Sequence, residues 1–384
     1  MKKVFIAITM LAAAFAISCQ EKNLSTWEKD SQENPSGTLF VNLIVPGGSA
    51  TKVLGSSTDE SAVNTLQIFV FKQISNSDHS LNIRETDKWV ADGSTSVSLN
   101  AFMGKKIVWA LVNAPRQSFN NEEELMNHYS KLEENSPTNL VMAGNATVDV
   151  AEYNASASVG AITPVPITVS HLGVRISIRN VKLDFANTSL EGCFFDVKEV
   201  YILNAVNSVA LSGTARAASE LGPSASCWYN LEAWNNSTPD AAKAILGDRG
   251  NLGITIGPTS GTQDLNRFFY VYPNVSLSEN DNTDATPSAR LTRMILHGYI
   301  RGTAGRNAGD NIAHAEESYY CFDIPKSNTG ATLERNHTYD IENVTITMPG
   351  GPSDSPEDRP KYGKVNATVT VGEWGGHTIL NYEL

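Results

Sequence analysis

Cys19 is the residue whose surroundings specify a reaction. It follows Ala16, Ile17 and Ser18, at the end of an apolar run over residues 4–17 that begins behind Lys2 and Lys3. Small residues ahead of a cysteine let a chain enter the cleft of a lipoprotein signal peptidase, and the thiol is the acceptor for a diacylglycerol. The run is shorter than the ~20 residues that span a bilayer. The expectation is a signal peptide over residues 1–18, export, and a lipid on Cys19 that tethers the chain to a membrane.

Other reactive constellations are sparse. The seven histidines, His79, His128, His171, His297, His314, His337 and His377, show no HExxH spacing, so neither a metal nor a cofactor is expected. The glycine-rich stretch 302–310 lacks the GK[ST] ending with which a phosphate loop reaches phosphate and magnesium, and reads as a hairpin loop. Glu279, Asp281 and Asp284 offer oxygens to calcium without the central glycine of an EF-hand. No catalytic residue is expected, and the chain does not read as an enzyme. Trp228, Tyr229 and Trp234 cluster in a Ser/Asn-rich region, where exposed rings can stack on a sugar, although core packing is the commoner use of such residues.

The chain that must hold these residues has 384 of them and a formal net charge of −12. Loss of residues 1–18 removes two lysines and no acid, moving the charge to −14. Such a surface excludes nucleic acid as a partner. The length fits two domains. Beyond Cys19 only Cys193, Cys227 and Cys321 remain, too few for a disulfide scaffold and in no metal-binding spacing.

The fold class expected is mainly β with a few short helices. Residues 19–37 are polar and read as a tether. From Thr38 onward, short runs of β-branched and aromatic residues alternate with Gly, Pro, Asn and Ser, the pattern of β-sandwiches or barrels. They lie at 39–45, 65–72, 96–99, 107–112, 146–150, 167–169, 174–181, 197–205, 268–272, 294–301, 319–324, 338–348, 365–371 and 378–384. Leu125, Tyr129 and Leu132 predict an amphipathic helix over 121–133. Pro164 and Pro166 mark a joint that divides the chain into domains at 38–165 and 166–349.

The two ends are the most informative. Leu39, Val41, Leu43 and Val45 share one face of the first strand, and apolar residues at two alternate positions predict cover on both faces. Behind it comes a loop of small residues, 46–57, in which Lys52 is the only basic residue, a natural cut site before Val53. At the other end a Gly/Pro/Asp linker, 350–360, precedes Val365, Ala367, Val369 and Val371 in strict alternation with polar residues. A terminal strand on such a linker is suited to pair outside its own domain.

These features, in this order, resemble the type V fimbrillins, the FimA/Mfa-like fimbrial subunits of anaerobic Gram-negative bacteria. The resemblance spans nearly the whole chain. It rests on the lipobox and on residues 63–71 (VNTLQIFVF), 111–115 (LVNAP), 269–274 (FYVYPN), 334–341 (ERNHTYDI), 344–347 (VTIT) and 369–374 (VTVGEW). It implies two transthyretin-like β-sandwich domains and an assembly mechanism. A lipidated precursor reaches the outer membrane, a surface protease removes the first strand, and the C-terminal strand of another subunit fills the groove. Here 38–45 would be the removable strand, Lys52–Val53 the cleaved bond, and Val365 to Val371 within the 350–384 region the donor. The partners would be other pilus subunits, including copies of this chain, and the location the outer membrane and the surface fimbria. Many such chains have Arg where this one has Lys52, so an arginine-only protease would not cut it. The alternatives are a tip or accessory adhesin or anchor of the same pilus, and a surface glycan-binding lipoprotein.

Overall fold

The structure is a computed structural model. It describes residues 36–45, 60–150, 162–186, 188–217, 220–221, 225–250, 252–258, 261–275, 291–302, 316–324, 333–354, 365–374 and 380–383. Cys19, Lys52 and Val53 lie outside them. The architecture is mainly β. No helix of the described residues is long and apolar enough to cross a membrane.

In the first part of the chain come β1 (Ser36–Ile44), β2 (Leu66–Lys72), β3 (Arg84–Val90), β4 (Ser96–Phe102), β5 (Gly104–Val112), α1 (Glu122–Asn127), β6 (Tyr129–Lys131), β7 (Met142–Val150), β8 (Ile162–Thr168) and β9 (Ser170–His171). They build a sandwich in which the sheet β4-β1-β8 faces the sheet β3-β2-β5-β7-β9. Alternation puts Leu39, Val41 and Leu43 of β1 into the core with Val97 and Leu99 of β4, and Val165 and Ile167 of β8. Leu66, Ile68, Val70, Val108 and Ala110 meet them from the opposing sheet. Residues Leu66 to Phe71 of β2 are buried on both faces, because Phe69 and Phe71 turn outward to Phe119 and Leu125 beneath α1. The sheets close at Gly144, where a Cβ would fall 2.1 Å from the Thr168 carbonyl oxygen, so only glycine fits.

The second part contains β10 (Val174–Ile178), β11 (Val181–Leu183), β12 (Phe194–Leu203), β13 (Ala205–Val206), β14 (Ser208–Ala210), β15 (Trp228–Tyr229), α2 (Asp240–Leu246), β16 (Gly247–Asp248) and β17 (Ile254–Ile256). It continues with β18 (Arg267–Val271), β19 (Arg293–Arg301), β20 (Glu316–Asp323), β21 (His337–Ile346), β22 (Val365–Glu373) and β23 (Leu380–Glu383). The sheet β18-β10-β21-β22-β23 shares one core with β16-β12-β19-β20. A bulge between Val197 and Glu199 resets the alternation of β12, so that Val200 and Ile202 enter the core and Tyr201 faces away.

Three expectations are corrected. Residues 162–168 are not a joint: β8 runs parallel to β1 from Thr38↔Ile162 to Ile44↔Thr168, and β9 pairs with β7, so the chain leaves the first sandwich only after His171. Pro164 and Pro166 are tolerated there because β8 is an edge strand. The helix ends at Asn127, since Tyr129–Lys131 pairs with β14 as β6. The run 174–181 breaks into β10 and β11 at Asn180, whose φ of 46° lies in the left-handed region that asparagine accepts.

Candidate functional site

The site begins with β1, the middle strand of its sheet. It is antiparallel to β4, from Ser36↔Phe102 to Asn42↔Ser96, and parallel to β8. Leu39 and Val41 are wholly buried, Leu43 nearly so, and Val45 half-buried. The expected cover on both faces is not found: Phe40 and Ile44 are 40% and 51% exposed. A three-stranded sheet laid on one core has an inside and an outside, and the alternate positions of β1 face out. Removal of β1 would leave a slot floored by Leu66, Ile68, Val108 and Ala110 and walled by the unpaired edges of β4 and β8.

Glu60, the next described residue after Val45, meets four elements. Glu60 accepts the Tyr270 hydroxyl at 2.6 Å and the Trp374 indole N–H at 3.2 Å, and its carboxylate lies 3.2 Å from Nε of Arg175. Arg175 is fully buried, its guanidinium 4.6 Å from the Phe268 ring centre. Its two Nη atoms have no hydrogen-bond partner among the described residues. The Glu60 carbonyl takes a hydrogen bond from Nε2 of His171 at 3.0 Å; a carbonyl only accepts, so this ring nitrogen carries the proton. The His171 ring stacks on Trp374 at 4.1 Å, and burial pushes its pKa below the ordinary histidine value. Sequence reading missed this node, because its members lie hundreds of positions apart and each is unremarkable in its own neighbourhood.

Trp374 is also where β22 ends, and here the structure overturns the expectation of a strand outside its own fold. β22 pairs antiparallel with β21, from His337↔Glu373 to Ile346↔Val365, and β23 pairs with β22 in turn. Ala367, Val369 and Val371 are buried in the chain's own core while Thr368 and Thr370 are half-exposed. The alternating face that suits the strand for a neighbour's groove suits it equally for its own.

The three candidate aromatics do not form a platform. Trp228 is buried in the core. Trp234 stands edge-on to Tyr201, with the Arg249 guanidinium 4.9 Å above its ring. Tyr229 is half-buried and donates its hydroxyl to Glu133. No disulfide joins Cys193, Cys227 and Cys321.

No protein-family model and no curated protein matches the sequence. Solved structures do. A fimbrilin (FimA) from Porphyromonas gingivalis W83 superposes with a TM-score of 0.58 at 15% identity, over 88% of this chain and 97% of that one. The fold is the fimbrilin fold. A proposed cell adhesion protein from Bacteroides eggerthii shares it, with a TM-score of 0.58 at 16% identity over 89% of this chain and 97% of that one. Another, from Parabacteroides distasonis, gives 0.57 at 15% identity over 90% and 99%. In this fimbrilin fold the first strand and the last hairpin are both integral to the described sheets, and Glu60 connects the segment that follows the one to the end of the other.

Proposed function

We propose that this chain is a structural, non-enzymatic subunit of a cell-surface fimbria, exported as a lipoprotein on Cys19, matured by cleavage after Lys52 and polymerised by strand exchange. The observation that carries the reading is the position of β1: it alone fills the slot between β4 and β8 among the described strands, and a cut within residues 46–59 would sever it from the rest of the fold. Burying Leu39, Val41 and Leu43 contributes roughly 4–9 kcal/mol as an upper bound, with ladder hydrogen bonds on both sides. An emptied slot would expose that apolar floor and two open sheet edges, the template for an incoming strand.

The donor is the β22–β23 hairpin behind the 350–360 linker. It has to leave its own sheet and carry Ala367, Val369 and Val371 into the slot of another subunit. Like burial replaces like, so the exchange is close to neutral in buried area, and loss of β1 sets its direction. Polymerisation supports a role in adhesion. Trypsin trimming of the purified chain, followed by mass spectrometry and unboiled SDS-PAGE, tests the reading: a chain beginning at Val53 should form an oligomer ladder, and a chain that forms none would reject it.

A further inference from the structure

A cavity of about 300 Å³ opens beside β6, where β6 and β14 pair and join the two parts of the chain. Ser130 of β6 points inward, its hydroxyl bonded to Glu134 at 2.7 Å and lying 2.8 Å from the Tyr272 hydroxyl. Its neighbours Tyr129 and Lys131 are therefore turned outward to line the cavity. Arg216 lies 4.2 Å above the Tyr129 ring centre and donates from Nε and Nη2 to the Ser208 hydroxyl at 3.1 and 2.7 Å. On the far wall Tyr229 donates to one oxygen of Glu133. Burial, and then that hydrogen bond, raise the Tyr229 pKa, so the hydroxyl stays protonated and occupies Oε2.

The lining combines two cations, one carboxylate and two phenol rings. The Lys131 and Tyr129 side chains are exposed at the cavity mouth, and no described residue forms a hydrogen bond or ion pair with the Lys131 ammonium or the Tyr129 hydroxyl. A site for a bare anion would gain nothing from Glu133, which repels it. A neutral ligand would leave the Lys131 ammonium unanswered, since the nearby carboxylates Glu133 and Glu134 are engaged by Tyr229 and Ser130. A carboxylated sugar answers both: its carboxylate meets Lys131 and Arg216, its hydroxyls donate to the open oxygen of Glu133, and its C–H face lies against tyrosine. The volume is at the lower end for small-molecule sites, roughly 300 Å³, which suits one pyranose ring with its substituents.

We propose that this cavity binds the acidic pyranose terminus of a glycan. The inference does not depend on polymerisation, since the cavity belongs to the single chain. The probes are glucuronic acid and glucose, which differ only in the carboxylate, titrated into the purified chain by calorimetry and ligand-observed NMR, with inorganic phosphate as competitor. Glucuronic acid should bind at least about tenfold more tightly than glucose. Lys131→Gln, at an exposed position, should weaken it about tenfold with folding unchanged; Arg216→Gln should weaken it as much while also giving up the Ser208 hydrogen bonds, and the remote Lys88→Gln leaves it intact. Equal affinity for the two sugars, binding of neither, indifference to both substitutions, or equally tight binding of phosphate would each overturn the proposal.

Discussion

Glu60 holds Trp374 across 314 residues of sequence, carboxylate to indole N–H at 3.2 Å. Glu60 is the next described residue after Val45, and Trp374 directly follows β22, so the segment that begins at Glu60 and the last hairpin share one buried carboxylate. Loss of the Glu60 carboxylate would remove one hydrogen bond from the residue that follows β22.

Glu60→Ala should destabilise the chain by roughly 3–5 kcal/mol, because it strands the buried Arg175 charge and two hydrogen-bond donors. The joint replacement Glu60→Leu with Arg175→Leu should recover the part due to the stranded charge but not the part due to the Tyr270 and Trp374 donors. Denaturant unfolding reads both. Hydrogen exchange should show faster exchange in β22 and β23 of Glu60→Ala, whereas unchanged exchange there would separate Glu60 from the hairpin.

His171 gives the same node a pH dependence. Its folded pKa is depressed by burial, so the neutral form is the native one and its stabilisation is complete above the unfolded value of 6.5. As pH falls below 6.5 the unfolded chain takes up a proton that the folded chain refuses, and stability should drop by up to about 1.4 kcal/mol per pH unit. The surrounding groups are the Glu60 carbonyl, Asn336, Trp374 and the Glu60–Arg175 pair. His171→Gln should flatten the slope between pH 6.5 and 5, measured by urea titration at each pH.

Val369→Asp places a carboxylate in the chain's own core opposite Ile341 and should cost several kcal/mol of monomer stability. Thr368→Asp, on the half-exposed face, should cost little. Thermal unfolding of the untrimmed monomer distinguishes them; equal melting temperatures would mean that β22 does not pack where the structure has it.

Glu342 and Thr368 stand directly opposite each other on β21 and β22. Cysteines at both positions should close a disulfide, since opposed residues in an antiparallel pair bring their Cβ atoms close to bridging distance. The oxidised variant should fold and be trimmed but form no ladder, and reduction should restore it. A ladder from the oxidised form would show that this hairpin is not the donor.

Much of the fold was legible in the sequence, because strand alternation is a local signal. Leu39, Val41 and Leu43, and Ala367, Val369 and Val371, all face inward as their spacing requires. β3 was missed because Arg84–Val90 is charged and half-exposed along its length, which gives no apolar rhythm to read. The same locality explains the overlong helix: Leu125, Tyr129 and Leu132 have helical spacing, but only Glu122–Asn127 is helical, because pairing of β6 with β14 is decided by residues nearly eighty positions away. What β22 pairs with was equally beyond alternation, since one apolar face serves its own sheet or another subunit's. The Glu60 node is a wholly tertiary fact.

The most direct measurement is trypsin trimming of the purified chain followed over time by mass spectrometry and unboiled SDS-PAGE. The account predicts that oligomers appear only after the cut at Lys52–Val53, with the β1 peptide released in step with their growth. A trimmed chain that loses β1 and stays monomeric at every concentration, or an untrimmed chain that forms the same ladder, would contradict it.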